Sequence, residues 1–249
     1  MDTKIAIQNY WDYRSESYNS VTEQSEYEKS SWMNMLSSTM DGRKELKILD
    51  VGTGPGFLAL MCAEMGNYVT AVDLSENMLK KARENAQKRS LSIEMIQGDA
   101  ENLQFPDSHF DVVMNKYLLW TLPDPTKALL EWRRVLKEDG MIIAIDGDWH
   151  SDGLFNRTQR AIYNTIKTIK EDKYPRVFKK HYEPLKKDLP LFSLKPGQVI
   201  SYFKNAGFKD VSIEKMDKNC VHVKQKEKLL AKLEPANPVY LIKARKNQD

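Results

Sequence analysis

Ile48-Leu49-Asp50-Val51-Gly52-Thr53-Gly54-Pro55-Gly56-Phe57 is the stretch that decides the fold. An apolar run ends in an acid and opens at once into glycines at alternate positions. Seventeen residues beyond Gly56 stands Asp73, at the end of a second apolar run, Ala71-Val72-Asp73-Leu74. Strand, glycine loop, helix, strand and acid is the layout of a nucleoside-binding α/β unit. Lacking Cβ atoms, Gly52, Gly54 and Gly56 can take unusual backbone angles and let a ligand press against the main chain. The helix that follows aims free N–H groups at that ligand. The residue after Gly56 is Phe57, where a dinucleotide fingerprint expects Gly or Ala, and this counts against NAD.

The alternation continues on both sides. The pattern predicts strands over residues 47–51, 68–72, 92–97, 110–114 and 141–146, then 211–215 and 239–244. Between them, Phe57, Leu58, Leu60, Met61 and Met65 mark a helix closed by Gly66. Ser75 caps a helix whose buried face carries Met78, Leu79, Ala82 and Ala86. Asp124-Pro125 starts another, with Ala128, Leu129, Trp132, Val135 and Leu136 at helical spacing and Gly140 as its end. Val199, Ile200, Phe203 and Ala206 form a last helix ended by Gly207. Strands alternating with helices imply an α/β fold, a doubly wound, Rossmann-like, seven-stranded and mostly parallel sheet. The expected organisation is one domain over 1–249, with residues 1–41 as a helical lid and 42–148 as the cofactor-binding core. Residues 149–196 form a cap inserted over the carboxyl edge of the sheet, and 197–249 the last helix and strands.

The 249 residues are 41% apolar, enough for one large core. The formal charge of +3 is too small to argue for nucleic acid, whose partners show a basic stripe or block. Cys62 and Cys220 form no CxxC pair, so neither a disulfide framework nor a metal site is expected. The start, Met1-Asp2-Thr3-Lys4, has no basic-then-apolar signal, and no apolar run reaches the roughly 18–20 residues that span a bilayer. A soluble cytoplasmic protein without a membrane span is the expectation; the oligomeric state is left open.

Three further elements carry chemistry. Asp73 ends strand two, where a carboxylate can accept both hydroxyls of a ribose; its other reading is a helix N-terminal acid meeting the macrodipole. Gly98-Asp99-Ala100-Glu101-Asn102-Leu103-Gln104-Phe105 follows strand three, and Asp99 there is placed either for an adenine amino group or for an ordinary turn. Asn115-Lys116-Tyr117-Leu118-Leu119-Trp120-Thr121-Leu122-Pro123-Asp124 leaves the carboxyl edge after strand four, where open α/β sheets bind ligands.

Taken together these motifs resemble class I S-adenosylmethionine-dependent methyltransferases, and within them the small-molecule group that includes the ubiquinone/menaquinone C-methyltransferases. The likeness spans about residues 42–146, with Val135-Leu136-Lys137-Glu138-Asp139-Gly140 completing five motifs in order. Fainter echoes are Asn9–Tyr18, similar to the family's cofactor lid, and Ala206–Val211, similar to its approach to strand six. The resemblance implies S-adenosyl-L-methionine as cofactor and S-adenosyl-L-homocysteine as product. It implies that Asp50 and Gly52 hold the methionine end, with Gly54 and Gly56 shaping the loop. Asp73 would bind the ribose, Leu74 and Met78 would flank the adenine, and Asp99 would take its amino group with backbone help from Ala100. Asn115 would offer its carbonyl to the methionine amino group, and Tyr18, with Arg14, would close the site. Where relatives often carry His-His before Leu-Pro-Asp, this chain has Trp120-Thr121, so no histidine role transfers and Trp120 reads as packing.

The chemistry implied is methyl transfer to a small-molecule acceptor by direct displacement. A sulfonium methyl is already electrophilic, so positioning and water exclusion supply most of the catalysis. A base is needed only where the acceptor loses a proton. The candidates are Asp148 and His150, beside Asp146, at the end of strand five; His150 reads more readily as an ordinary surface histidine. Three rivals stand beside this reading. The chain could methylate tRNA or protein, for which the Lys-rich 149–196 would serve. It could bind adenosylmethionine as a non-catalytic regulatory protein, or use a nicotinamide.

Overall fold

The computed structural model describes residues 2–18, 26–148, 158, 161–162, 165, 177–216 and 237–246. The helices are α1 (Thr3–Arg14), α2 (Glu26–Thr39), α3 (Phe57–Glu64), α4 (Glu76–Lys88), α5 (Pro125–Val135) and α6 (Pro196–Asn205). The strands are β1 (Lys47–Val51), β2 (Tyr68–Asp73), β3 (Glu94–Gln97), β4 (Phe110–Lys116), β5 (Leu136–Gly147), β6 (Lys209–Lys215) and β7 (Val239–Arg245). They form one seven-stranded sheet in the order β3-β2-β1-β4-β5-β7-β6. β7 runs antiparallel to β5 and β6, and the other pairings are parallel. This is the doubly wound sheet that the strand–helix alternation implies.

The central strands are apolar at nearly every position because helices cover both faces of the sheet. Successive residues still divide between the faces. Ile48, Val112, Met114 and Ile143 pack with Trp32 and Leu36 of α2 and with Leu58 and Met61 of α3. Their neighbours Leu49, Val113, Ile142 and Ala144 pack on the other face, against Trp132 of α5 and Val199 and Phe203 of α6. A third cluster roofs the carboxyl edge. There Ile7 and Tyr10 of α1 meet Trp120, Tyr182, Leu189 and Phe192. The rings of Tyr10 and Trp120 lie 4.5 and 5.3 Å from that of Tyr182. Trp120 is therefore packing, as its position beside Leu-Pro-Asp suggests, and Tyr182, Leu189 and Phe192 share its cluster.

Helix starts follow their caps. The Ser75 hydroxyl accepts from the Met78 amide at 3.1 Å, and the Asp124 carboxylate accepts from the Lys127 amide at 3.0 Å with Pro125 next in the chain. Helix α5 departs from expectation at its other end. It stops at Val135, and Gly140 lies inside β5 rather than at a helix C-terminus. Phe110 pairs with Leu136, but Val112 pairs with Met141, so the intervening residues bulge out of register. Asp139 turns the chain there with φ 60°. A Cβ on Gly140 would sit 2.7 Å from the Lys137 carbonyl oxygen, so close backbone approach explains this glycine.

Gly140→Ala should consequently destabilise the fold by about 1–3 kcal/mol through overpacking, read as a lowered midpoint of urea unfolding. An unchanged midpoint would show that the bulge yields without cost.

Candidate functional site

Chain order β1, β2, β3 runs outward to one side of the sheet, and β4 then returns to the other side of β1. That reversal opens a crevice at the carboxyl ends of β1 and β4, the place where such sheets hold ligands. A cavity of about 970 Å³, counting its open mouth, lies there.

The glycine loop forms its floor. Gly52 (φ 69°) and Gly56 (φ 93°) take left-handed backbone angles that side chains resist. Two carboxylates hold the loop. Asp50 accepts from the Thr53 hydroxyl at 2.7 Å and from the Ala59 amide at 3.1 Å, which ties the loop to α3. Asp73 accepts from the Gly54 amide at 2.7 Å and from the Ser75 amide at 2.9 Å, which ties it to the start of α4. Burial pushes Asp50 up to about 7 and Asp73 up to about 6, although these hydrogen bonds favour the charged forms.

Leu74, Met78, Gly98 and Ala100 line the cavity beyond Asp73, an apolar slot with backbone at one side. Helix α1 closes over the slot, with Lys4, Ile7, Trp11 and the following Tyr18 on the lining. Its position is fixed by Asp12, whose carboxylate accepts from the Ser75 hydroxyl at 2.5 Å. Arg14 stacks over the Tyr18 ring at 5.4 Å.

Most residues singled out in the sequence meet here: Tyr18, Asp50, Gly52, Gly54, Asp73, Leu74, Met78 and Ala100 all line the cavity, and Gly56 caps the helix behind the loop. Others stand differently. The Asp99 carboxylate accepts from Lys4 at 2.6 Å and from the Glu101 amide at 2.9 Å, and it is not on the lining. The Asn115 side chain is fully buried, with neither amide atom hydrogen-bonded, and it too is off the lining. The Asp148 carboxylate accepts from the Ser193 hydroxyl at 3.2 Å, outside the cavity. Asp146 is wholly buried and accepts from the Trp120 amide at 3.3 Å. His150 lies outside the described residues.

Several lining residues received no role from the sequence, and Lys116 is the charged one on the β4 side. Lys116, the last residue of β4, has its ammonium 4.3 Å from the Phe57 ring centre and 3.8 Å from that of Tyr117. Burial pushes it down to about 7 against the pull of Asp146 and Asp50. The signal available was a lysine that continues an apolar strand at the ligand edge. Among the described residues no group of three or more His, Cys, Asp or Glu is placed to hold a metal ion, and no helix is long and apolar enough to cross a membrane.

Comparison with known proteins agrees with this geometry. Residues 49–144 match a family model described as a methyltransferase domain. Demethylmenaquinone methyltransferase of Staphylococcus carnosus is 31% identical over 209 residues, covering 81% of this chain and 84% of that protein. The enzyme of the same name from Listeria welshimeri is 39% identical over 119 residues, 46% of this chain and 50% of its own. Among solved structures, a Haemonchus contortus phosphoethanolamine N-methyltransferase 2 bound to S-adenosylhomocysteine superposes with a TM-score of 0.65. It is 19% identical, over all of this chain and 61% of its own. The [4+2]-cyclase SpnF superposes at 0.66 with 17% identity, over 98% of this chain and 96% of its own. These two likenesses concern the fold alone. Relatedness over most of both chains, joined to the glycine loop and its two acids, places the function: the chain belongs to the class I S-adenosylmethionine-dependent methyltransferases.

Proposed function

We propose that this methyltransferase transfers the methyl group of S-adenosylmethionine to a small-molecule acceptor by direct displacement, within the cavity under α1. The observation that carries the reading is the continuity of that cavity. It runs from the apolar slot at Leu74 and Met78, past Asp73 and the glycine loop, to Lys116 and Thr121 at the carboxyl edge. An adenosine, a ribose and an amino-acid tail in line match that order of surfaces. The relatives' shared name, demethylmenaquinone methyltransferase, also favours an acceptor of small-molecule size.

In this reading Asp73 accepts from the ribose hydroxyls while keeping its bonds to Gly54 and Ser75. Leu74 and Met78 flank the adenine with the backbone of Gly98 and Ala100. Asp99 acts through Lys4, which it holds at the cavity mouth, and it retains lone pairs for the adenine amino group. Asp50, Gly52 and the Asn115 carbonyl serve the amino-acid tail, and Tyr18 closes over it. Gly54 and Gly56 keep the loop in the shape that admits the ligand. The bound cofactor supplies an electrophilic methyl, so the protein's part is alignment and exclusion of water. The aromatic roof of Tyr10, Trp11 and Trp120 serves that exclusion. Asp148 does not touch the cavity and would act as a base only through His150 or a change of position. The whole chain serves as one methyltransferase domain, with 1–41 and 149–196 as lid and cap over the 42–148 core, completed by 197–249.

The buried acids have a cost. An unfolded Asp50 ionises near its ordinary 3.8, whereas in the fold it does so at about 7. Between those values the native chain holds a proton that the unfolded chain has released, so this group's contribution to stability declines as pH rises through the window. Asp50→Asn should accordingly raise the melting temperature of the ligand-free protein at pH 8 and change little at pH 4. A lower melting temperature at pH 8 would show that the ionised carboxylate stabilises the loop.

Asp73→Ala should weaken adenosylhomocysteine binding more than tenfold, about 1.4 kcal/mol or above, by calorimetry. An unchanged affinity in a folded variant would contradict the ribose assignment. Incubation of the wild-type protein with methyl-labelled adenosylmethionine and a fractionated cell extract tests the acceptor class. Label should enter a metabolite fraction, to be identified by mass spectrometry. Label confined to the nucleic-acid or protein fraction would overturn the small-molecule reading.

A further inference from the structure

An amino-acid tail brings a carboxylate into the cavity as well as an ammonium. A carboxylate removed from water requires a cation or several N–H donors. Among the described residues on the lining, the cationic side chains are Lys4 and Lys116. Lys4 is already committed, since its ammonium lies 2.6 Å from Asp99 and 2.5 Å from Glu101. Those acids stand beyond β3, at the Ala100 side of the cavity, away from β4.

Lys116 is placed otherwise. Its backbone pairs with Ile145 at the end of the β4–β5 ladder, and its ammonium sits among the rings of Tyr117, Phe57 and Trp32 at 3.8, 4.3 and 5.7 Å. Asp50 and Asp146 act on it only through space, without a hydrogen bond. Aromatic faces hold a cation in place by their quadrupoles but do not neutralise it. The charge therefore remains available to an incoming anion.

A second set of donors converges on the same place. Phe57, whose ring carries the ammonium, is the first residue of α3. The first-turn N–H groups of a helix have no carbonyl one turn back. Asp50 takes that of Ala59, while Phe57 and Leu58 line the cavity. Their N–H groups and the positive end of the helix favour an anion there.

We propose that Lys116 and the N-terminus of α3 together seat the carboxylate of the cofactor's amino-acid tail. Asp50, on the neighbouring strand, then faces the tail's ammonium, so the site presents opposite charges to the two ends of a zwitterion. The ammonium of Lys116 selects nucleosides that carry the tail over those that lack it. This rests on the cofactor reading given above.

The test compares two ligands that differ in the tail. S-adenosylhomocysteine has it, and 5′-methylthioadenosine has the same adenosine and sulfur without it. Binding of each is measured by calorimetry for wild-type protein, Lys116→Met and Lys116→Arg. In Lys116→Met the affinity for S-adenosylhomocysteine should fall at least about tenfold while that for methylthioadenosine changes less than about twofold. Lys116→Arg should restore most of the loss, because a guanidinium also pairs with carboxylate. Equal losses for both ligands would overturn the proposal and make Lys116 a structural residue. Unchanged S-adenosylhomocysteine affinity in Lys116→Met would overturn it too and leave the cofactor cavity standing. Wild-type protein that binds neither nucleoside would instead overturn the cofactor reading itself.

Discussion

The glycine loop is held between two carboxylates, and the geometry of the whole site depends on that clamp. Asp50 fastens it to α3 through Thr53 and Ala59, and Asp73 fastens it to β2 and α4 through Gly54 and Ser75. The loop's own amides add to this, since Gly52 and Thr53 both donate to the Val72 carbonyl. With the loop fixed, the N-terminus of α3 and the carboxyl end of β4 face one cavity. Helix α1 then docks onto the same framework, because Asp12 bonds to the Ser75 hydroxyl that also caps α4.

The clamp conflicts with what burial alone would favour. Both acids are raised well above the usual carboxylate range, and Lys116 opposite them is lowered by the same desolvation. A chain selected only for stability would fill such a crevice with apolar side chains. Charges retained in a partly dehydrated cavity are what recognition of a polar, charged nucleoside needs, since each can then bind without being dehydrated first. The aromatic cluster of Tyr10, Trp11, Trp120 and Tyr182 is the complementary device. It supplies apolar mass above the site and excludes water where the sheet itself ends.

Much of this was legible in the sequence because it is local. The strands around Asp50 and Asp73, the caps at Ser75 and Asp124, and the loop glycines each depend on residues within a few positions. What stayed hidden shares a cause in contacts between distant segments. Gly140 looked like a helix end, but a bulge set by pairing with β4 governs it. The bond between Asp99 and Lys4, 95 residues apart, leaves no trace in the local spacing. Asp148 is a candidate base at the end of strand five by its position in the chain, and Ser193 and the backbone of Pro238, both distant in sequence, hold it off the cavity lining. Lys116 attracted no role because its environment is built by three rings from α2, α3 and its own loop, which no spacing rule brings together.

The central claim is that the crevice between β1 and β4, under α1, is where S-adenosylmethionine binds. The most direct measurement is a crystal structure of the protein with S-adenosylhomocysteine. The account predicts the ribose hydroxyls on the Asp73 carboxylate, the adenine between Leu74 and Ala100, and the sulfur above the glycine loop. Density for the nucleoside at any other place on the protein, with this cavity filled only by water, would contradict it.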